Sequence, residues 1–320
     1  MTAELSERRV ALITGASSGI GRASALRLAA DHWDLIIVGR TVESLAEVAR
    51  ECTAAGAVVM TAEADIGIAD QVDEVFSNAV IRFGRIHAVI QSAGVVAYGR
   101  FEEVPAAVFD RVITTNLLGA ANVARSALLH FRANGAGSLV VVGSLLGKIA
   151  VPFMSPYSTS KWGLQGLVRM LQVEARTTPG IDVSLVSPGS VNTPAYSQAA
   201  NYIGREGRPP PPVDPPEKVA AAIVRALDHP VRDRSVGVAN AIVVLGFRAL
   251  PALFDALVTP LIKVGGLSRR TVEPGTGNVF GPQPDGDALY GSWTRIGRRS
   301  SRSGRESDPD PAAARKERSS

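Results

Sequence analysis

Residues Val10–Ala30 read VALITGASSGIGRASALRLAA. Val10–Thr14 is a short apolar run rich in β-formers, the pattern of a strand buried on both faces. Glycines 15, 19 and 21 follow at once, and Ile20–Ala30 continues with helical spacing. A strand, a glycine turn and a helix in this order make a cradle for a pyrophosphate. Glycine lets the backbone approach the phosphates, and a helix N-terminus offers unpaired N–H groups and a partial positive charge. Three residues separate the first two glycines, unlike the G-x-G-x-x-G form.

The same alternation runs outward from this stretch. Leu35–Gly39, Val58–Glu63, Ile86–Gln91, Leu139–Gly143 and Asp182–Ser187 read as further strands. Ala69–Phe83, Val104–Arg132 and Ser158–Arg176 carry helical spacing between them. No linker-like break and no internal repeat interrupts the series. These signals predict one doubly wound α/β domain, a parallel sheet with helices on both faces.

The second strand ends at Arg40, and no acid stands between Ile36 and Val42. A carboxylate near this point binds a ribose 2′-hydroxyl, whereas an arginine accommodates a 2′-phosphate. Ser17, Ser18 and Arg22 add donors for the same phosphate. NADP(H) is therefore the expected cofactor, with NAD(H) the open alternative.

Farther along, Tyr157 and Lys161 stand one helical turn apart in a YSTSK run. A free tyrosine has a pKa near ~10, so acid–base work at neutral pH asks for a shift of about three units. A lysine on the same helix face favours the phenolate and is expected to supply that depression. Ser144 follows the predicted strand Leu139–Gly143, and ligands of open parallel sheets bind at the carboxyl ends of strands. Ser144 and Tyr157 should converge there.

With these residues in view, the chain resembles a classical short-chain dehydrogenase/reductase, a family of Rossmann-fold oxidoreductases. Thr14–Gly21 (TGASSGIG) is similar to the family's cofactor motif, with Gly15, Ser17, Ser18, Gly19, Ile20 and Gly21 as contacts. Tyr157 and Lys161 match its YxxxK pair, Ser144 its serine, and Asn116 in TTNLLG the asparagine of its tetrad. Asp65–Ile66 resembles the adenine-contacting dipeptide, and Pro188–Gly189 with Thr193 the segment over the nicotinamide. Ala93–Gly94 stands at the end of the fourth strand, where the family has NNAG and this chain has Gln91–Ser92–Ala93–Gly94.

The resemblance implies that hydride passes between nicotinamide and the carbon of a carbonyl or secondary alcohol. Tyr157 would act as general acid/base and Ser144 would hold the substrate oxygen. Lys161 would bind the nicotinamide ribose, and Asn116 would anchor a water leading to solvent. A homo-oligomer is expected. A catalytically silent nucleotide-binding scaffold is the alternative from another class.

Residues 190–216 lose apolar periodicity and gather prolines, which suggests a substrate lid within a catalytic domain ending near 230. The segment 236–264 is strongly apolar, with Phe247, Leu250, Phe254, Leu257 and Leu261 at three- and four-residue steps. It forms the heart of an expected extension over 231–294. Arg248, Asp255, Lys263 and two prolines interrupt it, too often for a membrane span of about 20 residues. It reads as a core or subunit-contact helix, or as a lipophilic wall with shallow membrane contact. The tail 295–320 holds eight Lys/Arg and four Asp/Glu, which matches the net charge of +4 of the whole chain. The high isoelectric point thus belongs to a tail expected to be disordered, and no nucleic-acid partner is expected. Cys52 is the sole cysteine, the four histidines are scattered without a metal pattern, and the polar start MTAELSERR has no apolar core. A cytoplasmic protein without metal is the expectation.

Overall fold

The computed structural model describes residues 8–293. The chain begins with β1 (Val10–Thr14), α1 (Gly19–Ala30), β2 (Asp34–Gly39), α2 (Val42–Ala54), β3 (Val59–Glu63), α3 (Ala69–Phe83) and β4 (Ala88–Gln91). The short β5 (Ala97–Tyr98), α4 (Ala106–Ile113), α5 (Gly119–Asn134), β6 (Gly137–Val142), α6 (Ser155–Ala175) and β7 (Ile181–Pro188) follow. The last part holds β8 (Ala200–Asn201), β9 (Arg205–Gly207), α7 (Pro216–Asp228), β10 (Arg234–Val236), α8 (Asn240–Ala249), α9 (Pro251–Leu261) and β11 (Leu267–Thr271).

Seven strands make one parallel sheet in the order β10-β7-β6-β4-β1-β2-β3. Both faces are covered, which explains the unbroken apolar strand sequences. Along β1 and β2, Leu12, Ile36 and Val38 pack with Phe76, Phe131 and Leu164 of α3, α5 and α6. Their neighbours Ala11, Ile13, Leu35 and Ile37 pack on the other face with Leu28, Leu45 and Ile223 of α1, α2 and α7. The strand order reverses between β1 and β4, and the crevice at such a switch point is where α/β sheets bind ligands.

Three details depart from the sequence reading. The helical stretch predicted over Val104–Arg132 is divided: a π-helical turn, Thr114–Leu118, joins α4 to α5. The seventh strand, Arg234–Val236, lies past residue 230, so the catalytic sheet reaches into the expected extension. The proline-rich span 190–216 is tacked down: β8 pairs with β5, and β9 pairs antiparallel with β11.

The apolar segment 236–264 is two helices rather than one. Pro251 opens α9 at a position where a missing N–H costs nothing. Among the residues of α9, none is buried. The tail 295–320 lies outside the described residues.

Candidate active site

The glycine turn sits at the carboxyl end of β1. Gly15 has a φ of 65°, and a Cβ there would stand 2.7 Å from the Ala93 Cα, so only glycine fits. Thr14 ties this turn to the end of β4. Its hydroxyl donates to Gln91 Oε1 and accepts from the amides of Ser92 (3.1 Å) and Ala93 (3.2 Å). Gln91 Nε2 in turn donates to the Ala93 carbonyl at 3.2 Å. Gln91 thus supplies the brace between central strands, a role that no local pattern announced. Ser17, Ser18, Gly19 and Ile20 line the cleft above, while Gly21 is buried behind them in the first turn of α1.

At the far end of the turn, Arg40, Asp65 and Ile66 line the same cleft. Arg40 Nη2 donates to the Asn278 carbonyl at 2.7 Å, while its Nη1 is buried with no protein partner. Burial lowers the Arg40 pKa, with Asp65 and Asp287 pulling it up and Arg111 pushing it down. Asp287 is thus a carboxylate in this corner, brought in from far along the chain. The Asp65 carboxylate is held by Arg111 and by the Gly67 amide at 2.9 Å. Arg22 does not serve as a phosphate donor. Its buried guanidinium turns away to Glu47 (2.5 Å) and Glu51 of α2, which satisfy its charge.

Ser144 stands just past β6 and caps a short turn, accepting from the Leu146 amide at 3.1 Å. Tyr157 and Lys161 lie in the first two turns of α6, and Ser144, Tyr157 and Lys161 all line the cleft. Lys161 Nζ donates to the Val142 carbonyl at 3.0 Å and stands 5.7 Å from the centre of the Tyr157 ring. Burial depresses its pKa to about 8.

Tyr157 departs from expectation. Burial pushes its phenol pKa up, and the hydrogen bond from Ser144 pulls the other way. The predicted depression by Lys161 is not among the causes of the shift: desolvation of the phenol outweighs Ser144, and the ammonium is committed to a strand carbonyl.

Asn116 sits one layer behind the cleft, in the π-helical turn. Its Oδ1 accepts from the Val95 amide (2.8 Å), and its Nδ2 donates to the Val95 carbonyl (2.9 Å) and Ser160 Oγ (3.0 Å). Both amide hydrogens are therefore spent, leaving one lone pair on Oδ1. Gly94 keeps space open here: a Cβ would stand 3.2 Å from Asn116 Oδ1 and 3.9 Å from Lys161 Nζ. Pro188, Gly189 and Thr193 also line the cleft, with the Gly189 amide anchored on the Val236 carbonyl at 2.8 Å.

The cleft measures about 900 Å³. Tyr98, Met154 and Tyr196 gather around Tyr157, and Leu250, Phe254 and Leu257 add apolar lining to the same cleft. Tyr98, Tyr196, Asn278 and Asp287 carry no sequence signal, since only the folded chain brings them to the YxxxK helix or the glycine turn; Met154 adjoins that helix in sequence, at its N-cap. Among the described residues, no three His, Cys, Asp or Glu side chains gather as a metal site.

The family model for short chain dehydrogenases matches residues 9–202. The chain belongs to this family. It is an oxidoreductase acting on CH–OH or C=O groups with NAD(P). It is 34% identical over 226 residues to the cis-4-hydroxycyclohexanecarboxylate dehydrogenase of Sinomonas cyclohexanicum, covering 67% of this chain and 87% of the relative. An alcohol dehydrogenase from Thermococcus sibiricus, solved with 5-hydroxy-NADP, superposes with a TM-score of 0.62 at 30% identity, covering 72% of this chain and 95% of that one. A short chain dehydrogenase from Mycobacterium paratuberculosis, solved with NAD, gives 0.63 at 28% identity, covering 71% and 96%.

Proposed function

We propose that this enzyme interconverts a lipophilic ketone and its secondary alcohol, with Tyr157 as the general acid/base and NADP(H) as the preferred cofactor. The observation that carries this reading is that Ser144, Tyr157 and Lys161 line one cleft together with the apolar side chains of Leu250, Phe254 and Leu257. The residues fit a dinucleotide: Gly15 and Gly19 of the glycine turn line the cleft, and Arg40 Nη1 awaits an acceptor.

The bound nicotinamide would supply hydride exchange with the substrate carbon. Tyr157, held protonated by its burial, would give its proton to the carbonyl oxygen in the reductive direction. Ser144 would donate to that oxygen and stabilise the charge developing on it. Lys161 would hold the nicotinamide ribose, and the free lone pair of Asn116 would anchor a water that returns the proton. A catalytically silent scaffold is disfavoured, because Asn116, Ser144, Tyr157 and Lys161 are all present.

For the cofactor, Arg40 supports NADP(H), while the nearby Asp287 carboxylate weighs toward NAD(H). Dissociation constants for NADPH and NADH, with Arg40→Ala as control, decide between them; equal affinities in the parent protein would remove the case for NADP(H). For the substrate, cofactor oxidation is followed over a ketone panel graded by size and lipophilicity. Turnover confined to small, hydrophilic ketones refutes the lipophilic assignment.

Residues 190–216 act in this reading as the substrate lid, since Val191, Thr193, Tyr196 and Arg208 line the cleft. On α8, Leu245 lies outside the cleft lining and is 66% exposed, while the exposed Leu261 of α9 lines the cleft. Among the described residues, no helix is long and apolar enough to cross a membrane. Shallow contact with a lipid surface, where lipophilic substrates partition, fits these exposed apolar residues, and vesicle flotation tests it. A homo-oligomer is supported by the groove between α5 and α6, where Leu129, Met170 and Val173 are exposed, and light scattering reads the mass directly.

A further inference from the structure

After β11 the chain does not leave the molecule. It crosses the outer mouth of the cleft and runs back over the lid. Gly275 pairs with Asn201 through two main-chain bonds of 2.8 and 3.0 Å, and the Asn278 amide donates to the Gln198 carbonyl at 2.8 Å. Val279 is then fully buried in a small apolar cluster with Val95, Val108 and Val112. This anchors the segment beside the Arg40 corner.

Beyond Val279 the character changes. Residues 280–286 are all exposed, and one short turn, Pro284–Gly286, is the sole regular structure up to Trp293. A few polar contacts hold this ribbon. Gln198 Nε2 donates to the Gln283 carbonyl and to Asp287 Oδ1, each at 3.1 Å. Tyr290 donates to Glu217, and the amides of Gly291 and Trp293 donate to the carbonyl and side chain of Asn192. Most telling, the Gly19 amide donates to the Ala288 carbonyl at 3.0 Å, so the ribbon rests on the glycine turn itself. Asn278, Pro282, Gln283 and Asp287 line the same cleft as Ser17 and Arg40. At its Asn278 root, the Asn278 Oδ1 and Arg40 Nη1 are both buried without a protein partner, a donor and an acceptor left for a ligand.

From this we infer that residues 280–293 form a detachable outer wall of the dinucleotide site, and that cofactor can leave only when this ribbon peels back from the glycine turn and the lid. Asn278 is the fixed edge of that wall and a contact for the adenosine half. The division of labour follows from burial. The Val279 side has a buried hydrophobic anchor, whereas no residue of 280–293 is buried and a handful of hydrogen bonds holds them, so this side opens at lower free-energy cost. Because the ribbon also bonds to Asn192 and Gln198, its release loosens the lid together with the cofactor mouth. The inference rests on the dinucleotide reading of the cleft.

The test measures cofactor release. NADPH and NADH are each bound to the parent and to a chain ending after Val279, and each is chased with excess oxidised cofactor while the loss of bound-cofactor fluorescence reports the off-rate. The shortened chain is expected to release cofactor about ten-fold faster, the factor that ~1.4 kcal/mol of lost contacts carries. A full-length Asn192→Ala/Tyr290→Phe variant, which cuts two ties at residues that do not line the cleft and leaves the chain length unchanged, should show a smaller increase of the same sign and serves alone if the truncation does not fold. In the parent, bound dinucleotide should protect residues 280–293 from limited proteolysis. Off-rates equal to the parent's in the variants overturn the inference. So does faster association with an unchanged off-rate, the mark of a plug rather than a retaining wall. A parent that binds neither dinucleotide refutes the cofactor reading itself, a distinct outcome.

Discussion

Lys161 Nζ donates to the main-chain carbonyl of Val142 at 3.0 Å, two residues before Ser144. One hydrogen bond therefore ties the helix that carries Tyr157 to the strand that presents the serine. The ammonium is at once a charge near the phenol and a structural pin between two elements of the site.

Replacing Tyr157 with Phe removes the hydroxyl proposed as the proton donor and leaves the ring. Turnover should fall by about a thousand-fold, within the usual span for a positioned acid. Dinucleotide binding, followed by fluorescence, should be retained. A variant with near-parental turnover would show that the proton comes from elsewhere.

Lys161 makes stability depend on pH in a defined direction. Its folded pKa of about 8 lies below the ordinary 10.5. Between these values the unfolded chain binds the extra proton, so folding is favoured more as pH rises. Below about 8 the ammonium is buried in its charged form, at the greatest cost. Relative to Lys161→Met, the parent should gain about 2 kcal/mol between about pH 7 and pH 9.5, at ~1.4 kcal/mol per unit past pH 8. Denaturant midpoints of the two proteins across that range check this, and parallel curves would show that Lys161 is not titrating as described.

Ser144 pulls the Tyr157 pKa down against the effect of burial. Ser144→Ala should therefore move the alkaline rise of alcohol oxidation to higher pH, besides lowering kcat. A slower variant with an unmoved profile would mean that Ser144 positions substrate without tuning the phenol.

Gln91→Leu cuts the link between β4 and the glycine turn. The Thr14 hydroxyl loses its acceptor, and the Ala93 carbonyl loses a donor. Such losses cost about 1–3 kcal/mol each when the groups stay buried. A lower urea midpoint with weakened dinucleotide binding is expected, whereas Gln91→Asn, one methylene shorter, should recover part of both.

Sequence alone determined the parallel sheet, the glycine turn and the Tyr157–Lys161 spacing, because each is written in residues a few positions apart. Apolar runs in both phases of a strand require two covered faces, and a four-residue step on a helix sets two side chains on one side. The tertiary structure decided everything that depends on distant segments or on solvent. It turned Arg22 toward α2, gave Gln91 its brace and set Asp287 near Arg40. It also laid residues 280–293 across the cleft, and it reversed the expected sign of the Tyr157 shift. That shift reflects how much water reaches the phenol, a property of packing around it, whereas a motif records only which neighbours are available.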